Sequence, residues 1–197
     1  GDITIKGESI INKTIRQITE MSVGHIPEDR HRDGMILEMT VAENIALQTY
    51  YKEPNSKNGI LNYNIINAKA SELMNEFDVR GAGELIAGGD LSGGNQQKGV
   101  IGREIESNPD FLIAVQPTRG LDVGAIEFIH KQLVKQRDEN KAVLLVSLEL
   151  DEVMNVSDRI LVMYEGEIVA NLDPKQIDEK ELGLYMSGSK RGEGYEK

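Results

Sequence analysis

Apolar residues along the chain gather into four short runs, at 21–26, 111–115, 142–147 and 160–164, each of the length and β-branched content expected of a buried strand. Between the second and third runs the period changes. Ile126, Ile129, Leu133 and Val134 fall on one face of a helix, with Asp122 placed to cap its start and Asn140 near its end. A second helix is predicted over 93–106, with Val100, Ile101 and Ile105 inward and Asn108-Pro109 stopping it. Tyr164-Glu165-Gly166-Glu167, lying between the apolar stretches 160–163 and 168–170, reads as a hairpin turn. Strands that alternate with helices predict an α/β fold with a mostly parallel sheet.

The stretch 37–87 has a different texture. It is helix-rich: Thr40-Val41-Ala42-Glu43 has the form of a capping box, and 67–77 is a second amphipathic segment. A loop over 54–59, rich in Pro, Asn, Ser and Gly, separates the two. The expected organisation is therefore an α/β core formed by 1–36 and 99–172, a helical subdomain inserted over 37–98, and a C-terminal helix and tail over 173–197. From Ser187 onward the Gly- and charge-rich tail is expected to fray. The opening Gly1-Asp2-Ile3-Thr4-Ile5 starts abruptly in strand-like alternation without an initiator Met, so a piece of a longer chain is expected. No internal repeat is visible.

Charge and composition then narrow the function. The 197 residues carry 22 basic and 33 acidic side chains, a net charge of −11, which disfavours nucleic acid or an anionic membrane surface as main partner. Aromatic residues make up 5% and Trp is absent, so base-stacking platforms are not expected. The lack of Cys excludes disulfides and thiolate metal sites. His25, His31 and His130 are scattered without ligand spacing and read as surface or hydrogen-bonded histidines, so no metal site is expected. No apolar run reaches the length of a membrane span.

One stretch carries chemistry. Residues 91–98 read LSGGNQQK and lead into the helix over 93–106. Ser92 suits an N-cap, while Gly93 and Gly94 remove side chains where helix N–H groups point outward; together these would form an anion site of backbone donors and helix dipole. Ser-Gly-Gly alone is equally the start of an ordinary capped helix, which is the simpler reading. The run Glu28-Asp29-Arg30-His31-Arg32-Asp33 reads by its charge as a solvated loop. Glu149, Asp151 and Glu152 sit at a predicted helix start, where acids favour the dipole, and are not read as a catalytic pair.

The whole constellation resembles the ATP-binding cassettes of ABC transporters. Residues 91–98 resemble the family's signature motif, in the variant typical of carbohydrate and nucleoside importers. The run 111–118 resembles its Walker B strand and Gly120-Leu121-Asp122 its D-loop; 144–151 resembles the strand before the switch residue, and Glu28 falls at the Q-loop position. The resemblance implies a RecA-like P-loop NTPase-type core with an inserted helical subdomain bearing the signature. It also implies ATP with Mg2+ as cofactors of the assembled protein. The partners implied are a second cassette and membrane permease subunits, at the cytoplasmic face of a membrane, and the resemblance alone implies a place for 28–33 near the groove that receives a membrane subunit. In such a pair, Ser92, Gly93, Gly94 and Gln96 would contact in trans the nucleotide held by the other cassette, and Asp122 would serve as D-loop aspartate.

The chain departs from the family where hydrolysis is done. Val115 and Gln116 stand where the Walker B strand carries Asp and Glu, and Leu148 stands where the switch His belongs. A valine cannot hold a magnesium shell, and an amide cannot take a proton as a carboxylate does. No Gly-x-x-x-x-Gly-Lys-Ser/Thr occurs; in the family that loop lies upstream of the part resembling Gly1 to Gly7. The pattern resembles the second, degenerate cassette of two-cassette nucleoside and simple-sugar import proteins. The isolated chain is then expected to be soluble, to be inactive and to hold no cofactor. A pseudo-ATPase used only for protein interaction is the rival reading, against which an intact Ser92-Gly93-Gly94 argues. Chromosome-maintenance or translation-type relatives would show long heptads or basic linkers, and neither is seen.

Overall fold

The computed structural model describes residues 1–192. Its elements in chain order begin with a small antiparallel hairpin, β1 (Thr4–Ile5) and β2 (Glu8–Ser9), whose turn residues Lys6 and Gly7 both have positive φ. Helix α1 (Ile15–Glu20), closed by a Thr14/Gln17 capping box, precedes β3 (Val23–Ile26). The expected strand at 21–26 therefore starts later than its apolar run, because Met21 caps α1. Helix α2 (Val41–Ala46) begins at the anticipated capping box: Thr40 Oγ1 accepts from the Glu43 N–H at 3.1 Å, and Glu43 Oε2 accepts from the Thr40 N–H at 2.9 Å.

The stretch 54–59, expected as a plain loop, instead contains a second tiny hairpin, β4 (Ser56–Lys57) with β5 (Ile60–Leu61), turning at Asn58-Gly59. Helix α3 (Tyr63–Glu76) starts before the amphipathic stretch suggests, since Asn62 supplies its cap. Then follow α4 (Gly93–Glu106), β6 (Phe111–Val115), α5 (Val123–Asp138), β7 (Ala142–Val146), α6 (Leu150–Val156), β8 (Ile160–Tyr164), β9 (Glu167–Leu172) and α7 (Glu179–Met186). The bounds of α4, β6 and β8 coincide with the sequence expectation.

A three-stranded sheet has the order β3-β6-β7, and β3 pairs with β6 in parallel, Val23 opposite Phe111 and Ile26 opposite Ala114. The chain divides into two compact units at Leu144/Leu145, within β7. In the first unit, α2, α3 and α4 pack on one another and α4 also lies on β3. Their shared interior includes Ile66, Phe77, Val100 and Ile101, each at most 3% exposed. Each such burial contributes roughly 1.5–3 kcal/mol relative to exposure. Ile105, expected inward with Val100 and Ile101, is only half-buried. Gly102 lets α4 approach α3 closely: a Cβ there would lie 2.7 Å from Leu73 Cδ2 and 3.0 Å from the Phe77 ring.

Under these helices lies a buried ion pair that periodicity does not reveal. Arg103 and Glu104 are 8% and 1% exposed in their side chains and lie 3.0 Å apart. Arg103 Nη1 donates to the carbonyls of Gly34 and Asn44, while Glu104 accepts from the His25 N–H and from Gln48 Nε2. The pair thus ties α4 to β3, α2 and the segment between them. Isolated buried charges are costly, and these extra hydrogen bonds are what make the arrangement tolerable.

The second unit has its own core. Ile160, Val162, Val169, Ala170, Leu182 and Tyr185 pack together, with the β8–β9 hairpin turning at Glu165-Gly166, both at positive φ. Ser187 to Gly192, expected to fray, is tied down: the Gly192 N–H donates to the Val169 carbonyl at 2.9 Å, and Arg191 pairs with Glu167. The rest of that tail, 193–197, lies outside the described residues. The expected buried strand at 142–147 also differs in environment, since Leu144 and Val146 are 44% and 46% exposed.

Candidate functional site: the start of the signature helix and the end of β6

Ser92 sits at the N-cap of α4 with extended backbone, as its sequence position suggests, but its hydroxyl does not cap the helix. It accepts instead from Asn95 Nδ2 at 2.9 Å, and Asn95 Oδ1 accepts from the Arg80 N–H at 2.8 Å. The first-turn N–H groups are therefore left without a side-chain acceptor, and both Gly93 and Gly94 lack a Cβ that would shield them. An uncapped helix start of this kind attracts anions.

The polar residues after the glycines are used up by the protein itself. Gln96 is 4% exposed, donates to the Gly88 carbonyl and lies 2.8 Å from His31 Nε2. Expected alongside Ser92, Gly93 and Gly94 at the nucleotide, its side chain is turned inward instead, because three residues beyond Gly93 the helix surface faces the core. Gln97 donates to the Pro117 carbonyl at 2.8 Å. Lys98 donates to Asp78 Oδ2 at 2.8 Å and lies over the Phe128 ring. The guanidinium of Arg80, then the ammonium of Lys98, hold the Asp78 carboxyl down at about 2. What the motif leaves to offer outward is its Ser92–Gly94 backbone.

Two other segments gather around that backbone. Asp122 Oδ1 accepts from the Ala125 N–H, capping α5 as expected, and its other oxygen would lie 3.5 Å from a Cβ at Gly94. The charged run 28–33 is ordered rather than loose. Asp29 accepts from the N–H groups of His31 and Arg32, which lowers its pKa, Arg32 contributing more, and a π-helical turn, Arg30–Gly34, follows. Glu28, expected at a Q-loop position, pairs with Arg119 at 2.6 Å. Arg30 lies against Gly93, its Nη2 only 2.8 Å from where a Cβ would stand. Arg30 belongs to the charge run already visible in the sequence, and folding is what brings it beside Gly93.

The end of β6 has the reverse character. Val115 and Gln116 are half-buried, with Gln116 at φ 47, and Arg119 and Leu121 N–H groups close the following turns on the Gln116 and Thr118 carbonyls. Neither side chain is a carboxylate. Among the described residues, no cluster of three or more His, Cys, Asp or Glu is placed to hold a metal ion. Leu148, in the second unit, is 74% exposed and has no group that could take up a proton. No helix among the described residues is long and apolar enough to cross a membrane.

No protein-family model matches the chain. It is 63% identical over 188 residues to the nucleoside import ATP-binding protein NupA of Lactococcus lactis subsp. cremoris, covering 95% of this chain and 37% of that protein. It is 56% identical over 193 residues to the guanosine import ATP-binding protein NupO of Bacillus subtilis, covering 98% of this chain and 38% of that one. The chain thus spans little more than a third of the length of these curated relatives. The dimeric post-hydrolysis structure of the ATP-binding cassette MJ0796, bound to ADP and Pi, superposes with a TM-score of 0.73 at 23% identity, covering 90% of this chain and 75% of that one. At that identity the likeness bears on the fold, and the fold is the α/β cassette expected from the sequence. In fold the chain is an α/β ABC cassette, and in sequence it is similar to a portion of nucleoside- and guanosine-import ATP-binding proteins.

Proposed function

We propose that the chain is most of the second cassette of a two-cassette ABC import protein, and that its signature helix completes the ATP site of the first cassette. Within it, 37–98 would be the helical subdomain that presents the signature, set in a core of 1–36 and 99–172 and followed by 173–197. The observation that carries this reading is the uncapped start of α4: Ser92 is occupied with Asn95, and Gly93 and Gly94 leave the N–H groups accessible.

The fit of ATP and Mg2+ divides between the two places. A phosphate fits the Ser92–Gly94 backbone, which supplies donors and dipole, with the Asp122 carboxylate close by, beside Gly94. The end of β6 does not fit a magnesium ion, since Val115 and Gln116 offer no carboxylate. ATP supplies the transferable phosphoryl group, and this chain's part is to place backbone donors at its γ-end from the opposite side. Asp122, capping α5 beside Gly94, fixes the approach of the D-loop. The end of β6, with Val115 and Gln116, would be silent in hydrolysis, Glu28 would be held by Arg119 rather than by a metal shell, and Leu148, in the other unit, would offer no proton acceptor of its own.

The solute is read as a nucleoside, on the likeness to NupA and NupO. By the same reading the chain works peripherally at the cytoplasmic face of a membrane with permease subunits, and nucleic acid is not a partner. Deleting the gene for the full protein is expected to abolish nucleoside uptake and to spare ribose and xylose uptake. Loss of sugar uptake with nucleoside uptake unchanged would overturn the solute assignment.

A further inference from the structure

We propose that Arg30 is a phosphate-contacting residue of the signature site, its guanidinium meeting the γ-phosphate beside the first-turn N–H groups of α4. This rests on the reading of Ser92–Gly94 as the trans-acting half of an ATP site, and adds to it a side chain from a segment distant in sequence. The position is specific: Arg30 Nη2 lies 2.8 Å, and Cζ 3.5 Å, from the place a Cβ would take on Gly93. Any residue but glycine at 93 would have to displace this guanidinium.

Arg30 is also without an anion of its own. Its Nε is fully enclosed with no hydrogen-bond partner, and its Nη1 makes one long bond, 3.4 Å, to the Arg119 carbonyl. The acids of its own run are engaged elsewhere. Glu28 holds Arg119, Asp29 caps the turn, and Asp33 pairs with Arg32 at 3.6 Å. Among the described residues no carboxylate pairs with Arg30. In a chain with 33 acidic residues, a half-buried guanidinium left unpaired at an uncapped helix start leaves two positive fields converging on one point. A planar guanidinium presents the fork of donors that matches phosphate oxygens, and a bound phosphate would relieve both fields at once.

The arginine is held firmly enough to act. It opens the π-helical turn capped by Asp29, and its carbonyl accepts from the Met35 N–H at 2.7 Å. Its backbone is thus fixed by contacts that do not involve the guanidinium, so truncating the side chain should leave the turn in place.

The test uses the full two-cassette protein with its permease, carrying Arg30→Ala, Arg30→Lys or Gly93→Asp. Binding is measured for an ATP analogue with a non-hydrolysable β,γ bridge and, separately, for ADP. Arg30→Ala is expected to weaken the analogue about tenfold or more, the scale of one charge-assisted hydrogen bond, and to leave ADP unchanged. Arg30→Lys is expected to recover part of that loss. Equal weakening of analogue and ADP, or wild-type binding of both while Gly93→Asp is inactive, would overturn the role of Arg30 but leave the signature reading standing. Tolerance of both Arg30→Ala and Gly93→Asp would instead remove the signature reading itself. If Arg30→Ala melts early, the Arg30→Lys variant decides through the same analogue-to-ADP ratio.

Discussion

The start of α4 and the end of β6 are linked by the hydrogen bond from Gln97 to the Pro117 carbonyl, yet they use their residues in opposite ways. At α4 the recognising atoms belong to the backbone, and the side chains from Asn95 to Lys98 brace it from behind. At the tip of β6 the side chains are those of Val115 and Gln116, neither of them a carboxylate. The strand itself is undisturbed: Leu112 and Ala114 are wholly buried and keep register with β3. Folding constrains 112 and 114 because they fill the interior, whereas 115 and 116 answer only to chemistry. The residues at this strand end can therefore change in chemistry without a change in the shape of the strand. A change in the signature glycines would disturb packing and recognition together.

That contrast can be broken at its strongest point by Gly93→Asp in the full transporter. A carboxylate would be forced into Arg30 and would face the incoming phosphate, so steady-state ATPase activity is expected to fall by about 100-fold or more. Retained turnover would mean that the α4 start does not serve a phosphate.

The bracing behind the signature can be tested through Glu104. Glu104→Ala would leave Arg103 buried without its carboxylate and the His25 N–H without an acceptor. A loss of about 3–5 kcal/mol is expected in urea unfolding of this chain. A change within experimental scatter would show that α4 is held by apolar packing alone.

A gentler probe is acidity at the other end of the motif. The Asp78 carboxyl, lowered to about 2 by Arg80 and Lys98, stays charged in the folded state below its unfolded value near 4. Its contribution is therefore present above about pH 4 and is lost as pH falls through about 2. Melting temperatures of the chain and of Asp78→Asn should differ at neutral pH and converge as pH falls from 4 to 2. Curves that stay parallel throughout would exclude a charge-dependent tie.

The smallest effect is expected at β6. Gln116→Ala should keep most of the transporter's ATPase activity, and Gln116→Glu should add little while Val115 and Leu148 remain. Either a collapse with alanine or a clear gain with glutamate would show that this end of the strand takes part in hydrolysis, and the proposed division of labour would fail.

Legibility followed how local each signal is. The bounds of α4 could be read because glycines open it and Asn108-Pro109 close it, and α5 because Asp122 caps it. β1 lies in the strand-like alternation of 1–5, but β2 and the hairpin β4–β5 are not legible, since two-residue strands carry no period and only Lys6-Gly7 and Asn58-Gly59 mark their turns. Met21 looked like strand and proved to be the end of a helix, its apolar side chain serving either role.

Sequence alone determined the alternation of strand and helix from α4 to β8, the LSGGNQQK run at the start of α4 and the lack of a carboxylate at 115 and 116, because each is written in neighbouring residues. The tertiary structure decided what those residues face. It turned Gln96 inward, set Glu104 under three elements and laid Arg30 on Gly93, from 63 residues away along the chain. Such partners are chosen by the packing of α4 against β3 and the turn after it, and a free energy summed over distant contacts leaves no mark on local pattern.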